Sequence, residues 1–380
     1  MRNISWRHFD FWLLGAVAFL TIFGVAMIRS AIAGNPTLVE ANTVAKQMIF
    51  AAVGFVVMIL TAIIDYRYWS AVSRFLYLLT AGILAVLYLF GAALFGSRRW
   101  FTLGPILIQP SEIAKIIVIL ILAHFFSKHM EKINRPVTIL RSLLVTAGIM
   151  IWVLIQPDLS TSIVILVLWF ALLWASGLKI KQLLIASGAG IMALLVGFPL
   201  MLLSYNPEQT GGLIKPYQIR RIINFLFPDP DASYGEIYNV QQAMISIGSG
   251  GWLGKGYGSG SQVQLRFLKV RHSDFIFSAL AEEFGFAGAM IVLLLLAFII
   301  YRCLRAARLA GDTYGALTAY GVATLIAFQT IFNISVNLNL LPVTGLTLPF
   351  VSYGGSSLIT LFIGIGLVES IILRHKELEF

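Results

Sequence analysis

The chain has one cysteine among 380 residues, and charged side chains make up only 12% of it. A lone Cys303 excludes a disulfide framework and a thiolate metal cluster. So small a charged fraction, beside 59% hydrophobic residues and a mean hydropathy of +0.88, excludes a soluble globular domain of this length. Acidic residues are scarcer than basic ones, 17 against 27, giving a net charge of +10. No compact basic domain carries that excess, which argues against nucleic acid as a partner.

What is present is a succession of apolar runs, each long enough for the roughly 20 residues that cross a bilayer. Ten are recognisable: about 10–28, 46–64, 73–95, 111–127, 138–155, 161–177, 180–204, 275–301, 314–337 and 350–373. They predict an all-α integral membrane protein, one polytopic domain over 1–380 with ten transmembrane helices. Arg2, Arg7 and the small-residue stretch Ala31-Ile32-Ala33 imitate a signal peptide, but the run from Phe11 to Ile28 is too long for one and reads as an uncleaved anchor. Basic residues gather in alternate connections, among them Arg67, Arg74, Lys128, Lys132, Arg135, Lys179, Lys181, Arg302, Arg305 and Arg374. The short opposite loops hold few. This asymmetry places both termini in the cytoplasm and makes the net charge largely topological.

With that count, segment 205–273, between the seventh and eighth spans, is one long extracytoplasmic loop. Loops of this length are functional or disordered. Two segments in it have folding potential: the apolar cluster Ile222, Ile223, Phe225, Leu226 and Phe227, and a helix expected over Ile237–Ile247. The run Gly248 to Gly260 has seven glycines, which permit tight turns and anion-binding backbone nests. A plain linker is the general expectation for such a run. The interspersed Trp252, Lys255 and Tyr257 favour a folded, ligand-contacting element. Seven basic residues, Lys215, Arg220, Arg221, Lys255, Arg266, Lys269 and Arg271, suit either an anionic ligand such as a pyrophosphate or anionic lipid headgroups.

Polar residues inside the spans are costly and therefore informative. Glu112 and Lys115 lie three apart on one helical face. An ion pair explains how they are tolerated, and a polar cavity explains why they are there. Arg98-Arg99-Trp100 precede them at the outer interface, where the Trp suits an anchor and the arginines suit phosphate. Asp158, after Pro157, suits a helix cap. Gln329, Asn333 and Asn337 recur every four residues as one polar stripe, fit to join helices by hydrogen bonds. Small and hydroxylated residues over 352–357, Ser356 among them, permit close helix approach and can line a cavity. Asp274 stands at the mouth of the eighth span, where it is either a helix cap or, if Ser273 supplies the cap, a carboxylate left for chemistry.

These motifs resemble a known family. Gln109-Pro110-Ser111-Glu112, Gln156-Pro157-Asp158-Leu159, Pro216-Tyr217-Gln218 with Arg221, Ile247-Gly248-Ser249-Gly250-Gly251, His272-Ser273-Asp274-Phe275-Ile276-Phe277 and the run Pro349 to Ser357 together are similar to the signatures of the SEDS family of peptidoglycan polymerases. The likeness spans nearly the whole chain. Arg271 before His272, and the absence of extended tails, bring it nearer the elongation branch, RodA, than the division branch, FtsW. It departs from the family pattern at Lys269-Val270, where Pro-Glu is usual, at Ser273 for Thr and at Ser160 for Gly.

The resemblance implies a glycosyltransferase of the bacterial cytoplasmic membrane, active on its extracytoplasmic face, that polymerises lipid II. Asp274 would be the general base for the acceptor 4-hydroxyl, and undecaprenyl pyrophosphate would leave. Arg99, Glu112, Lys115, Arg221, Lys255, His272 and Ser356 are the expected substrate and pyrophosphate residues. A divalent cation, Mg2+ or Mn2+, is expected with ligands unassigned, as are a class B penicillin-binding protein and elongasome proteins as partners. Two readings from other classes compete: a lipid II flippase, which broken helices and buried charge also suit, and a non-catalytic scaffold. Neither requires a cluster of charges near the outer face, and only the enzyme requires Asp274.

Overall fold

The computed structural model describes residues 8–33, 35–90, 92–94, 97–103, 106–182, 184–185, 188, 192, 216–228, 235–265, 267–268 and 272–375. Its helices in chain order are α1 (Phe11–Ile32), α2 (Pro36–Glu40), α3 (Thr43–Ile63), α4 (Tyr66–Phe90), α5 (Pro110–His129), α6 (Pro136–Ile155), α7 (Leu159–Ala175), α8 (Pro216–Leu226), α9 (Glu236–Ser249), α10 (Ser261–Gln264), α11 (Ile276–Leu309), α12 (Thr313–Asn337) and α13 (Gly355–Leu373). Eight of them are long and apolar enough to cross a bilayer, and α7, at 17 residues, is shorter. Nine expected spans thus coincide with described helices. The expected seventh, 180–204, lies for the most part outside the described residues.

The helices sort by enclosure. In α13, 89% of the apolar stretch is buried, against 22% in α4. The first is therefore central and the second peripheral, facing lipid with residues such as Phe75, Leu78 and Phe90. α13 packs along α3, α12 along α11, and α5 sits between α4, α7, α12 and α13. At the cytoplasmic end expected from the charge pattern, Asp10 caps α1 by accepting from Leu13 N and pairs with Arg302 of α11. Its own N–H donates to Glu369 of α13 at 3.1 Å, which joins three helices at one buried point.

Three boundaries differ from those expected. The third span ends at Phe90, not 95. A small antiparallel meander follows, made of β1 (Ala92–Leu94), β2 (Ser97–Leu103) and β3 (Ile106–Ile108), with Ala92 opposite Trp100 and Phe101 opposite Ile108. Its apolar residues continue the hydropathy of α4, which hid it. The last span begins at Gly355, because Phe350 adopts φ 64° and the chain turns before the helix. The eighth begins at Ile276 with Phe275 as its unbonded cap, so neither Ser273 nor Asp274 caps it.

α11 is broken, and the break organises the glycine-rich run. At Gly285 the backbone takes φ 65° and ψ −166°, interrupting the helical ladder. The run Gly251–Gly256 supplies the missing partners. Lys255 N and Gly256 N donate to the carbonyls of Glu282 and Glu283 at 3.0 and 2.9 Å, while Phe286 N and Ala287 N donate to those of Gly251 and Trp252 at 2.8 and 3.0 Å. A break in an apolar environment is tolerated only when its backbone groups are satisfied in this way. Close approach needs glycine on both sides: a Cβ on Gly254 would lie 2.2 Å from Glu283 O, and one on Gly285 would lie 2.3 Å from Gly254 N. The run is accordingly a docked element of the fold. α8 and α9 occupy the two segments with folding potential noted above.

Candidate active site

Asp274 opens into a cavity of about 420 Å³. Its walls come from distant parts of the chain: Lys46 and Phe50 of α3, Trp100 of β2, Leu107 of β3, Gln109 and Glu112 at the start of α5, the turn His272-Ser273-Asp274, the segment Gly345–Thr347, and Tyr353 with Ser356 and Ser357 at the head of α13. The cavity therefore forms only when the bundle is assembled.

The turn that carries Asp274 is anchored through its backbone. Asn333 and Asn337 of α12 each donate from Nδ2 to the Asp274 carbonyl at 3.0 Å. Asn333 also donates to Leu346 O at 2.7 Å, and Asn337 Oδ1 accepts from Ser278 N at 3.2 Å. Ser352 Oγ donates to Ser273 O at 2.7 Å, and Tyr353 N donates to His272 O at 2.9 Å. Three successive carbonyls, of residues 272, 273 and 274, are thus held from α12 and from the approach to α13. Two residues of the stripe, Asn333 and Asn337, join α12 to the turn of Asp274 and to α11, whereas the buried Oε1 of Gln329 has no hydrogen-bond partner among the described residues. Gly345, which lines the same cavity, takes φ 86°, a conformation that favours glycine.

Glu112 lines the cavity, and its Oε2 accepts from Lys115 Nζ at 2.7 Å. Lys115 is fully buried. The pair is both the ion pair and the cavity wall that its sequence position allows. The His272 ring lies 5.7 Å from that of Tyr353. Burial pushes the Tyr353 phenol up from its ordinary value. Ser356 Oγ accepts from Gln109 N at 2.9 Å and joins α13 to the start of α5.

Asp158 caps α7 through Thr161 N, as expected, and does more. Its Oδ2 accepts from Gln109 Nε2, Ser111 Oγ and Thr161 Oγ1 at 2.8, 3.0 and 2.9 Å, which fixes the start of α5 against α7. Arg99 donates to the carbonyls of Gln156 and Pro157 at 2.9 and 2.6 Å. With Arg221, Ser160 and Thr344 it lines a second, smaller cavity. Thr344 borders that cavity and Gly345 borders the first, so the two are neighbours across one strand of chain.

The structure brings Asp274, Glu112, His272 and Ser356 into one cavity, with Lys115 behind Glu112. Arg99 and Arg221 face the adjoining cavity. Lys255 lies elsewhere: its ammonium meets Glu282 Oε1 at 2.7 Å and bonds Ser249 and Ser261. Lys215, Arg266, Lys269 and Arg271 are outside the described residues. Two lining residues escaped the sequence reading of the site. Trp100, expected as an interfacial anchor, lines the cavity through its place on β2, and Lys46 adds a cation at the wall from α3. The place of Trp100 depends on the strand pairing of Ala92 with Trp100, for which the sequence carried no signal. Among the described residues no cluster of three His, Cys, Asp or Glu stands ready to hold a metal ion.

Comparison with known proteins matches this arrangement to one family over almost the whole chain. The FTSW_RODA_SPOVE family, described as "Cell cycle protein", matches residues 11–377. The chain is 35% identical to the peptidoglycan glycosyltransferase MrdB of Escherichia coli K12, covering 98% of this chain and 95% of that one. It is 33% identical to the probable peptidoglycan glycosyltransferase FtsW of Hydrogenovibrio crunogenus, covering 97% and 92%. Among solved structures, one described as the structural coordination of polymerization and crosslinking by a peptidoglycan synthase complex superposes with a TM-score of 0.77 at 31% identity, over 96% of this chain and 97% of that one. The rod shape determining protein RodA of Thermus thermophilus superposes at 0.69 and 28%, over 98% and 99%. With its apolar helices, its motif order and its fold all in agreement, this multi-pass membrane protein belongs to the FtsW/RodA/SpoVE family.

Proposed function

We propose that this chain, a peptidoglycan glycosyltransferase, polymerises lipid II with Asp274 as general base. The observation that carries the reading is that the Asp274 carboxylate lines a cavity with Glu112, His272 and Trp100, on a turn whose carbonyls are clamped from α12 and from the approach to α13. A sugar hydroxyl is a poor nucleophile, so a fixed carboxylate within hydrogen-bond reach of it supplies the needed base. Asp274 takes the proton of the acceptor 4-hydroxyl as that oxygen bonds to the anomeric carbon of the lipid-linked glycan. The bond to the pyrophosphate oxygen breaks, and undecaprenyl pyrophosphate leaves with the electron pair.

Charge gathers on the leaving group, and among the described residues Lys46 in the same cavity and Arg99 and Arg221 in the adjoining one are cations placed to answer it. Glu112 aligns the buried Lys115 by accepting from its Nζ at 2.7 Å. The protein offers no three-ligand metal cluster among the described residues. Mg2+ and Mn2+ fit the cavity as ions held by one carboxylate, water and substrate phosphates. Glu112 is the residue that would hold one, because Lys115 engages only its Oε2. When bound, such an ion supplies positive charge to the pyrophosphate.

The same reading completes the topology. Ten spans, with 205–273 as an extracytoplasmic loop and both termini in the cytoplasm, put the cavity on the outer face of the bacterial cytoplasmic membrane. The solved relative described as coordinating polymerization and crosslinking supports a class B penicillin-binding protein as partner. The Arg271-His272 pair and the likeness to a rod shape determining protein favour an elongation role, within an elongasome, over one in division. The test is incubation of the purified chain and its transpeptidase partner with fluorescent lipid II and Mg2+. Glycan polymer that disappears on chelation is the expected result. Lipid II carried across vesicle membranes without polymer would contradict the reading.

A further inference from the structure

A second large opening lies on the other side of α3. It is a groove of about 790 Å³ between α1 and α3, almost twice the volume of the Asp274 cavity. The two share α3 as a wall: Lys46 and Phe50 face the active site, while Val44, Ala45 and Met48 face the groove. Helical spacing puts positions 44 and 48 on one face and 46 and 50 on nearly the opposite one.

The groove is graded in polarity along its length. Ile22, Val25 and Met48 line the part remote from the α1–α2 connection, and Arg29 and Asn42 line the end toward it. Ile22 and Arg29 are seven residues apart on α1, about 10 Å at the helical rise. Tyr257 closes one side from the docked glycine-rich run, its hydroxyl donating to Ala26 O at 2.8 Å. Arg29 is exposed on α1 and is the one cation among the described lining residues. An apolar trough ending at a single guanidinium complements an amphiphile with a single negative charge.

We infer that this groove binds one acyl chain of a monoanionic glycerophospholipid, with its phosphate on Arg29 and its chain against Val25, Val44 and Met48. Lipids ending in a pyrophosphate carry more negative charge than one arginine answers, which separates this ligand from the polymerase substrates. A chain seated there supports α3 from behind, opposite Lys46 and Phe50.

The experiment is native mass spectrometry of the detergent-purified full chain titrated with phosphatidylglycerol or phosphatidylcholine. Wild type should retain phosphatidylglycerol at least fivefold over phosphatidylcholine. R29Q should bring the two to equality, and Ala45→Trp, which fills the trough, should lower both. Val25→Trp serves the same purpose if Ala45→Trp does not fold, and an unchanged melting temperature qualifies each variant. Equal retention of the two lipids by wild type would overturn the inference. So would undiminished phosphatidylglycerol binding in R29Q, or displacement of that lipid by equimolar undecaprenyl pyrophosphate.

Discussion

The Asp274 carbonyl accepts two amide N–H groups, from Asn333 and Asn337, and these residues are the physical link between an ordinary transmembrane helix and the reacting carboxylate. Removing either leaves a part-buried carbonyl with one donor fewer and frees the turn to drift. We predict that Asn333→Ala and Asn337→Ala each cost about 1–3 kcal/mol of stability and lower kcat roughly tenfold to a hundredfold with little change in KM. A parallel fall in KM and kcat, or none in either, would remove these residues from positioning. The stripe was legible in the sequence because four-residue spacing fixes a helical face. Its target was not, since Asp274 lies 59 residues from Asn333 along the chain. Glu112 and Lys115 were legible for the same reason of spacing. Trp100 was legible only as an aromatic near a membrane surface, because its place in the cavity depends on a strand pairing that hydropathy cannot reveal.

Among the elements, α11 and the glycine-rich run behave as one unit. Lys255 reaches Glu282, which is fully buried, across a docked segment. Lys255→Met strips that carboxylate of its cation and should destabilise the fold by about 3 kcal/mol, read as a lower melting temperature. Loss of substrate affinity at unchanged melting temperature would instead restore Lys255 to a ligand role. The glycines announced tight turns in the sequence. That the turns repair a helix break was hidden, because nothing in Glu282-Glu283-Phe284-Gly285-Phe286 distinguishes Gly285 from an ordinary helical glycine. A second joint lies at the connection of α11 to α12, where Asp312 caps α12 through Gly315 N and accepts from Tyr66 and Arg67. Burial pushes the Asp312 carboxyl up, but the Gly315 N–H, the Tyr66 hydroxyl and the Arg67 guanidinium outweigh it and hold it below 3.8. Its folded value lies under its unfolded one, so its stabilisation is present above the unfolded value and is lost as pH falls through the folded one. Asp312→Asn should therefore melt lower than wild type at pH 7, with the gap closing below about pH 3.8. A gap independent of pH would assign Asp312 a capping role alone.

For the whole molecule, hydropathy made the membrane bundle legible because each helix needs its own apolar run, whereas the cavity is a product of packing between runs. The asymmetry of basic residues orients the bundle, and that orientation can be measured on the chain itself. In a Cys303→Ala background, a cysteine at the exposed Ser259 should react with an impermeant maleimide added outside intact cells. One at the exposed Glu131 should react only after permeabilisation. The reverse pattern would invert the topology and put Asp274 on the wrong face for a substrate displayed outside. The central claim, that a carboxylate in an assembled outer cavity polymerises lipid II, is tested most directly by one comparison. Purified wild type and Asp274→Asn, each with its transpeptidase partner and matched in melting temperature, are given lipid II and Mg2+ and their glycan products counted. The account predicts polymer from wild type and a loss of at least about a hundredfold in the variant. Equal polymer from both would contradict it.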